Sequence, residues 1–295
     1  MAVKRIGVVG CGVMGVGIVQ LGLQAGYEVM VREINDDLLQ KGLGRVRGAL
    51  DKMAAKGAIS VDGKEDMLRK LSGTTAVEAL SEGDFIIEAA SENMSIKTGI
   101  FEALDKLCGP ETIFASNTSS LSVSDMAAKT SRPDKFIGLH FFNPAAVMPL
   151  VEVIKTIRTE PAVFQTALEF VKSLKKIPVV AKDNAGFIVN LLLTPFLLDA
   201  IRALQEGVAS VADIDAGMKL GCNHPMGPLM LADFIGIDVL MSGADSLFKE
   251  YKEKRYAPLP LMKRMVTLGL LGAKTGKGFY DWSDPKNPKP LDLGL

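Results

Sequence analysis

Histidine, cysteine and tryptophan are scarce in these 295 residues, at two, three and one. The cysteines, Cys11, Cys108 and Cys222, lie far apart without metal-ligand spacing. Neither a metal site nor a disulfide framework is expected, and a reducing compartment suits them. Net charge is lacking as well: Lys plus Arg and Asp plus Glu are 34 each. That removes the broad basic field of a nucleic-acid binder. Long apolar runs are missing too. The most apolar stretch, 185–198, contains Asn190 and Pro195 and falls short of the roughly 20 residues of a membrane span. It reads as a buried helix. No signal peptide precedes the first apolar run, so a cytoplasmic protein without a membrane partner is expected. What remains is an ordinary globular makeup, 48% hydrophobic and 23% charged, with chain enough for two domains.

The most informative stretch is the first. Lys4-Arg5-Ile6-Gly7-Val8-Val9 reads as a strand, and Gly10-Cys11-Gly12-Val13-Met14-Gly15 follows with the spacing G-x-G-x-x-G. A helical run to Ala25 comes next, then Gly26 as a left-handed stop, a second strand over 27–31, and Glu33 just past its end. In that setting the glycines have physical tasks: Gly10 for a tight turn, Gly12 for close approach of a pyrophosphate, Gly15 for close packing of helix on strand. The helix N-terminus offers unpaired N–H groups to phosphates. Glu33 suits the ribose hydroxyls and repels a 2′-phosphate, which favours NAD over NADP. Arg32 beside it would accommodate that phosphate, so NADP is not excluded. Cys11 reads as a small filler residue rather than a redox group.

Region 36–71 carries many basic residues and reads as two helices with a turn bracketed by Gly57 and Gly63. Strands are expected at 73–76, 84–88, 112–115, 136–139, 150–154 and 177–180, with helices at 96–107 and 162–174 between them. The alternation defines an α/β class: a Rossmann-like, doubly wound, largely parallel sheet with an inserted helical pair. The late strands follow one another so closely that antiparallel pairing is expected there. After Lys182-Asp183-Asn184 strand signals vanish, so an all-helical C-terminal domain is expected. The boundaries are 1–183 for the dinucleotide-binding domain and 184–295 for the helical one. The tail after Tyr280, rich in Pro, Asp and Lys, is expected on the surface.

Oxidation of an alcohol by NAD needs a base for the hydroxyl proton, and histidine suits that near neutral pH. His140 ends an apolar run, at the carboxyl end of a strand, where open α/β sheets bind ligands. Glu152 stands between valines in the next strand, so it should be buried and partnered. Pairing the two would fix the imidazole tautomer and stabilise its cation. The plain alternative is a core histidine and a structural ion pair. His224, in Asn223-His224-Pro225, reads as a loop residue. Ser116-Asn117-Thr118-Ser119-Ser120 either holds a ligand oxygen or caps the next helix. The helix expected from Ala185 carries Asn190 on an apolar face, where a buried amide needs a hydrogen-bond partner.

Together these pieces resemble the short-chain L-3-hydroxyacyl-CoA dehydrogenases, most closely the bacterial 3-hydroxybutyryl-CoA members, over essentially the whole chain. The resemblance rests on Gly10–Gly15, Ala115-Ser116-Asn117-Thr118-Ser119-Ser120-Leu121 and Gly138-Leu139-His140-Phe141-Phe142-Asn143-Pro144. It extends to Asn223-His224-Pro225-Met226-Gly227-Pro228 and Lys274-Thr275-Gly276-Lys277-Gly278-Phe279-Tyr280. It implies His140 as acid/base with Glu152 as partner, Ser119 at the reacting oxygen, and Asn190 polarising the thioester side. For the cofactor it implies Gly10, Cys11, Gly12, Val13, Met14 and Gly15 at the pyrophosphate and Glu33 at the ribose. Glu92, Lys97, Ser119 and Asn143 would line the way to the nicotinamide, with Lys274 reaching in from the second domain. Lys56 matches a position that contacts coenzyme A, its alternative being a surface lysine; Ser119 and Asn190 also bind substrate. The resemblance further implies a short acyl-CoA substrate, a homodimer made by the helical domain, and a cleft closing on the substrate. Three departures stand out: Glu33 where aspartate is usual, Ala49 where some relatives have a coenzyme A-binding serine, and Leu191 where arginine is usual. Two other readings compete: an NAD-dependent dehydrogenase of a free hydroxy or sugar acid, and a non-enzymatic NADH-binding protein.

Overall fold

The computed structural model describes residues 3–294. It divides into two compact units, one ending at Phe187 and the other beginning at Ile188.

The first unit opens with β1 (Arg5–Val9), α1 (Val13–Gln24) and β2 (Glu28–Arg32). Gly26 takes φ +91° and turns the chain from α1 into β2. The helical pair is α2 (Asp36–Ala55) and α3 (Val61–Arg69), capped by the side chains of Asn35 and Ser60. Gly57 lies in the turn between them, with φ +69°. Gly63, expected to close that turn, is inside α3 and donates its N–H to the Ser60 hydroxyl. Then follow β3 (Leu71–Thr74), a 3-10 turn, β4 (Phe85–Glu88), α4 (Met94–Leu107), β5 (Ile113–Ser116), α5 (Val123–Ala127), β6 (Phe136–Phe141), β7 (Leu150–Lys155), α6 (Pro161–Ser173) and β8 (Ile177–Lys182). The eight strands form one sheet in the order β3-β2-β1-β4-β5-β6-β7-β8. Every neighbouring pair is parallel except β6 with β7. This is the doubly wound plan with a reversed pair of strands at one side. The order reverses at β1, between β2 and β4, which is where such sheets take ligands. β1, β4, β5 and β6 are buried along nearly their whole length, as strands covered by helices on both faces must be.

The second unit holds α7 (Val189–Gln205), α8 (Val211–Cys222), α9 (Pro228–Ile235), α10 (Ile237–Tyr251) and α11 (Pro260–Thr267). Residues 185–188, expected to be helical, form a turn instead. Gly186 and Phe187 there have φ +77° and +49°, so helix begins only at Val189. The unit also has a two-residue ladder, β9 (Tyr280–Asp281) with β10 (Lys289–Pro290), which the strand-free reading missed. Trp282 is buried although the surrounding tail is exposed. Its indole donates to Asp233, which also accepts from the N–H groups of Phe279 and Tyr280. Asp215 likewise takes the N–H groups of Leu229 and Met230 and the Tyr280 hydroxyl. These two buried carboxylates pin the tail onto the helices. Burial pushes the Asp233 carboxyl up from the usual range despite its three donors. Among the described residues no helix is long and apolar enough to cross a membrane.

Asp233→Ala leaves three buried donors without an acceptor. It is expected to destabilise the protein by about 2–4 kcal/mol, read from the urea midpoint. A variant as stable as the parent would show that the tail is held by packing alone.

Candidate active site

The glycine turn has the form its spacing implies. Gly10 has φ +94°, and a Cβ there would lie 2.8 Å from the carbonyl oxygen of Ala89. A Cβ on Gly15 would lie 1.9 Å from the carbonyl oxygen of Gly10, so helix and turn touch through backbone. At Gly12 a Cβ would meet none of the described residues within 4 Å. Gly12 is therefore no packing glycine; its hydrogen leaves room on the exposed side. α1 begins there with no capping side chain and no acid in its first turn, so its first N–H groups and positive dipole end suit a pyrophosphate. Glu33, just past β2, accepts from the Cys11 N–H at 2.5 Å and the Ile34 N–H at 3.2 Å. It is tied to the same turn. These residues fit a dinucleotide. Burial, with Glu33 adding repulsion, pushes the Cys11 thiol up to about 12, so Cys11 is a neutral filler at pH 7. A Cβ on Gly42 of α2 would run into it at 2.6 Å.

Beside the turn, at the end of β4, stands a buried charged cluster in which Glu92 and Lys97, both expected near the nicotinamide, are joined by Glu88, which sequence reasoning did not pick out. Glu88 is fully buried. It accepts from the Ala90 N–H and the Ser116 hydroxyl, each at 2.6 Å, and from Lys97 Nζ at 2.7 Å. Lys97, 1% exposed, also lies 3.3 Å from Glu92 Oε2. Glu92 Oε1 accepts from the Thr118 hydroxyl at 2.7 Å, the Ser119 N–H at 2.8 Å and the Ser119 hydroxyl at 3.1 Å. Burial opposes ionisation of Glu92, but the Lys97 charge and these donors outweigh it and hold its pKa below the usual value. Lys97 is thus enclosed between two carboxylates, and Glu92 is the more open member. The signal for Glu88 was available: a carboxylate ending the apolar run Phe85-Ile86-Ile87.

The serine-rich segment follows β5. Of its two expected roles, helix capping goes to neighbours: Ser122 caps α5, and Asp183 accepts from the N–H groups of Val123 and Ser124. Thr118, Ser119 and Ser120 engage Glu92 instead.

His140 lies on β6, directly opposite Glu152 on β7. Both are buried, and His140 Nδ1 is 2.7 Å from Glu152 Oε2. A carboxylate at Nδ1 selects the tautomer that leaves Nε2 as acceptor. Phe142 and Phe187 flank the ring, with centroids 4.4 and 5.7 Å away. Asn143 is exposed in the loop after β6. That loop rests on α1, where a Cβ on Gly17 would meet the Ala145 methyl at 2.8 Å.

The remaining expected residues stand on the inserted helical pair and in the second unit. Lys56 is exposed at the C-terminal cap of α2. Ala49 is half-buried on the same helix. Asn190 and Leu191 are half-buried in the first turn of α7. Lys274 pairs with Asp238 inside the second unit, at 2.5 Å. His224 packs against Phe196.

The glycine turn follows the carboxyl end of β1, and the carboxylate-paired imidazole stands near that of β6 in the same sheet, an arrangement that suits a dinucleotide-dependent dehydrogenase. Two family models match in succession. The 3-hydroxyacyl-CoA dehydrogenase NAD binding domain covers residues 5–184, and the C-terminal domain of the same family covers 186–282. A 3-hydroxybutyryl-CoA dehydrogenase of Clostridioides difficile is 43% identical over 279 residues, 95% of this chain and 99% of that one. One from Bradyrhizobium diazoefficiens is 41% identical over 284 residues, 96% and 97%. The crystal structure of (S)-3-hydroxybutyryl-CoA dehydrogenase PaaH1 from Ralstonia eutropha superposes with a TM-score of 0.92 at 42% identity, covering 96% of this chain and all of that one. The chain belongs to the 3-hydroxyacyl-CoA dehydrogenase family, NAD-dependent oxidoreductases whose N-terminal domain binds NAD.

Two substitutions separate packing from binding. Gly12→Ala is expected to keep stability within about 0.5 kcal/mol of the parent while weakening NADH binding by roughly tenfold or more, about 1.4 kcal/mol. Gly15→Ala should cost about 1–3 kcal/mol in stability. Urea unfolding and NADH fluorescence titration read the two effects. Unchanged NADH affinity in Gly12→Ala would move the pyrophosphate away from this turn.

Glu92 also makes a pH-dependent contribution to folding. Its folded pKa is depressed, so this contribution is complete well above its unfolded value of about 4.3 and fades as pH falls through the lower folded value. Urea midpoints should therefore fall more steeply on acidification below about pH 5 in the parent than in Glu92→Gln. Parallel curves would show that Glu92 is not held as an anion.

Proposed function

We propose that the chain interconverts (S)-3-hydroxybutyryl-CoA, or another short 3-hydroxyacyl-CoA, and its 3-keto partner acetoacetyl-CoA. The observation that carries the reading is the His140–Glu152 pair at 2.7 Å, in the same unit as the glycine turn. The names of the relatives give the substrate class. NAD, when bound, accepts the hydride from C3 or returns it. In oxidation His140 Nε2 takes the 3-hydroxyl proton; in reduction the protonated ring donates it to the developing alkoxide. Glu152 favours the imidazolium in both directions. The Ser119 hydroxyl hydrogen-bonds the reacting oxygen and Asn190 polarises the thioester side, so both bind substrate as well. The glycine turn with Cys11, Val13 and Met14 holds the pyrophosphate, and Glu33 holds the ribose. Glu92, Lys97, Ser119, Asn143 and Lys274 serve the nicotinamide side. Lys56 holds the coenzyme A tail; the exposed Lys56 ammonium suits a phosphate there.

By the same reading, 1–183 is the NAD-binding domain and 184–295 the substrate and dimerisation domain of a cytoplasmic homodimer. Exposed Leu192, Leu220, Phe234, Val239 and Leu268 in the helical unit support a covered apolar face there.

Mixing the protein with acetoacetyl-CoA and following NADH and NADPH oxidation separately tests the assignment. Turnover with NADH, inhibited by free coenzyme A, is expected; turnover only of free hydroxy acids, unaffected by coenzyme A, would overturn it. His140→Ala should lower kcat by about 10²- to 10⁴-fold with NADH affinity nearly intact. Glu152→Gln should also slow turnover and alter the pH–rate profile, because an amide does not stabilise an imidazolium. A profile identical to the parent's would remove Glu152 from the mechanism.

A further inference from the structure

Ser119 and His140 must converge on one substrate oxygen, yet they stand on separate strand ends. The parallel ladder between β5 and β6 runs Phe114–Phe136, Ala115–Ile137 and Ser116–Gly138, and stops there. Beyond Ser116 the chain leaves the sheet toward Thr118 and Ser119, while β6 continues through His140 to Phe141. The Asn117 side chain spans the opening. Asn117 Oδ1 accepts the backbone N–H of Phe141 at 3.0 Å, while the Asn117 N–H still donates to the Glu88 carbonyl at 2.7 Å on the other side. A carboxamide thus replaces the next rung of the ladder, tying the residue after His140 to the segment that carries Ser119.

We propose that Asn117 is a positioning residue that fixes the separation between Ser119 and the His140–Glu152 pair. Glu92 grips the Ser119 segment from the β4 side, and Asn117 closes it from the β6 side. Without the amide, Phe141 keeps its pairing with Val151 and the Ser119 segment keeps its bonds to Glu92, but the tie from Asn117 to the Phe141 N–H is lost. Misplacement by about 1 Å at such a site can cost on the order of 10²-fold in rate. The inference rests on the dehydrogenase reading. Parent turnover of acetoacetyl-CoA tests that reading; the variants, compared with an active parent, test this one.

Asn117→Ala and Asn117→Asp form the experiment, with each variant assayed at its own pH optimum. The aspartate keeps an oxygen where Oδ1 accepts the Phe141 N–H; the alanine does not. Asn117→Ala is expected to lose about 10- to 100-fold in kcat, with KM for acetoacetyl-CoA and Kd for NADH within about threefold of the parent. Asn117→Asp should recover kcat to within about threefold. Hydrogen exchange of the peptide containing Phe141 should be faster in the alanine variant and near parental in the aspartate one. Should Asn117→Ala fail to fold, the aspartate variant alone decides by its kcat. Parental kcat in Asn117→Ala would overturn the proposal. So would equal losses in both variants with Phe141 still protected in Asn117→Asp, since the amide N–H groups rather than the acceptor would then matter.

Discussion

The antiparallel register of β7 on β6 is the constraint on which the site depends. In a fully parallel sheet, consecutive strands are joined by long crossovers and their carboxyl ends line one edge. Here the chain turns back directly after β6. His140 and Glu152 consequently become directly opposed residues, close enough for a 2.7 Å contact. Because side chains alternate faces along a strand, a slip of one residue would send Glu152 to the opposite face and leave both groups buried without each other. The valines flanking Glu152 are fully buried and resist such a slip. The hydrocarbon core thus fixes the register, and the register assembles the pair.

From that pair to the glycine turn runs an unbroken series of contacts along one edge of the sheet. Phe141 is bound by Asn117; Thr118, Ser119 and Ser120 are bound by Glu92; Lys97 joins Glu92 to Glu88; and the backbone at Ala89 abuts Gly10. Burying Lys97 and Glu88 costs desolvation that a single ion pair seldom recovers. The added donors from Ser116 and Ala90 offset part of it. A buried pair of this kind defines geometry more than it adds stability, which suits its place beneath the segment carrying Ser119. The second unit uses buried charge differently: Asp215 and Asp233 accept from backbone, indole and phenol donors and hold chain segments together. A buried carboxylate performs two tasks because its partners differ, an enclosed ammonium in one case and backbone, indole and phenol donors in the other.

By itself the sequence determined the elements whose causes are local. Apolar runs marked the strands to within two residues; β6 and β8 end two residues later than expected, and β3 begins two residues earlier because its pairing with β2, not its own composition, sets its start. The glycine spacing determined the turn, since positive φ and backbone contact are written in the absence of a Cβ. Glu152 among valines was recognisable as a buried carboxylate in need of a partner. Where cause and effect were distant in the chain, the sequence was mute. It did not say that the amide of Asn117 would replace a strand rung, that Ser122 and Asp183 would leave the serine segment free for Glu92, or that Trp282 would sink into a polar tail. The run from Ala185 looked helical by composition, yet left-handed backbone at Gly186 and Phe187 delays the helix to Val189. Patterning acts between neighbours and is readable one residue at a time. Hydrogen bonds such as Asn117–Phe141 and His140–Glu152 exist only after the sheet has brought separate strand ends together, and the tertiary structure alone decided them.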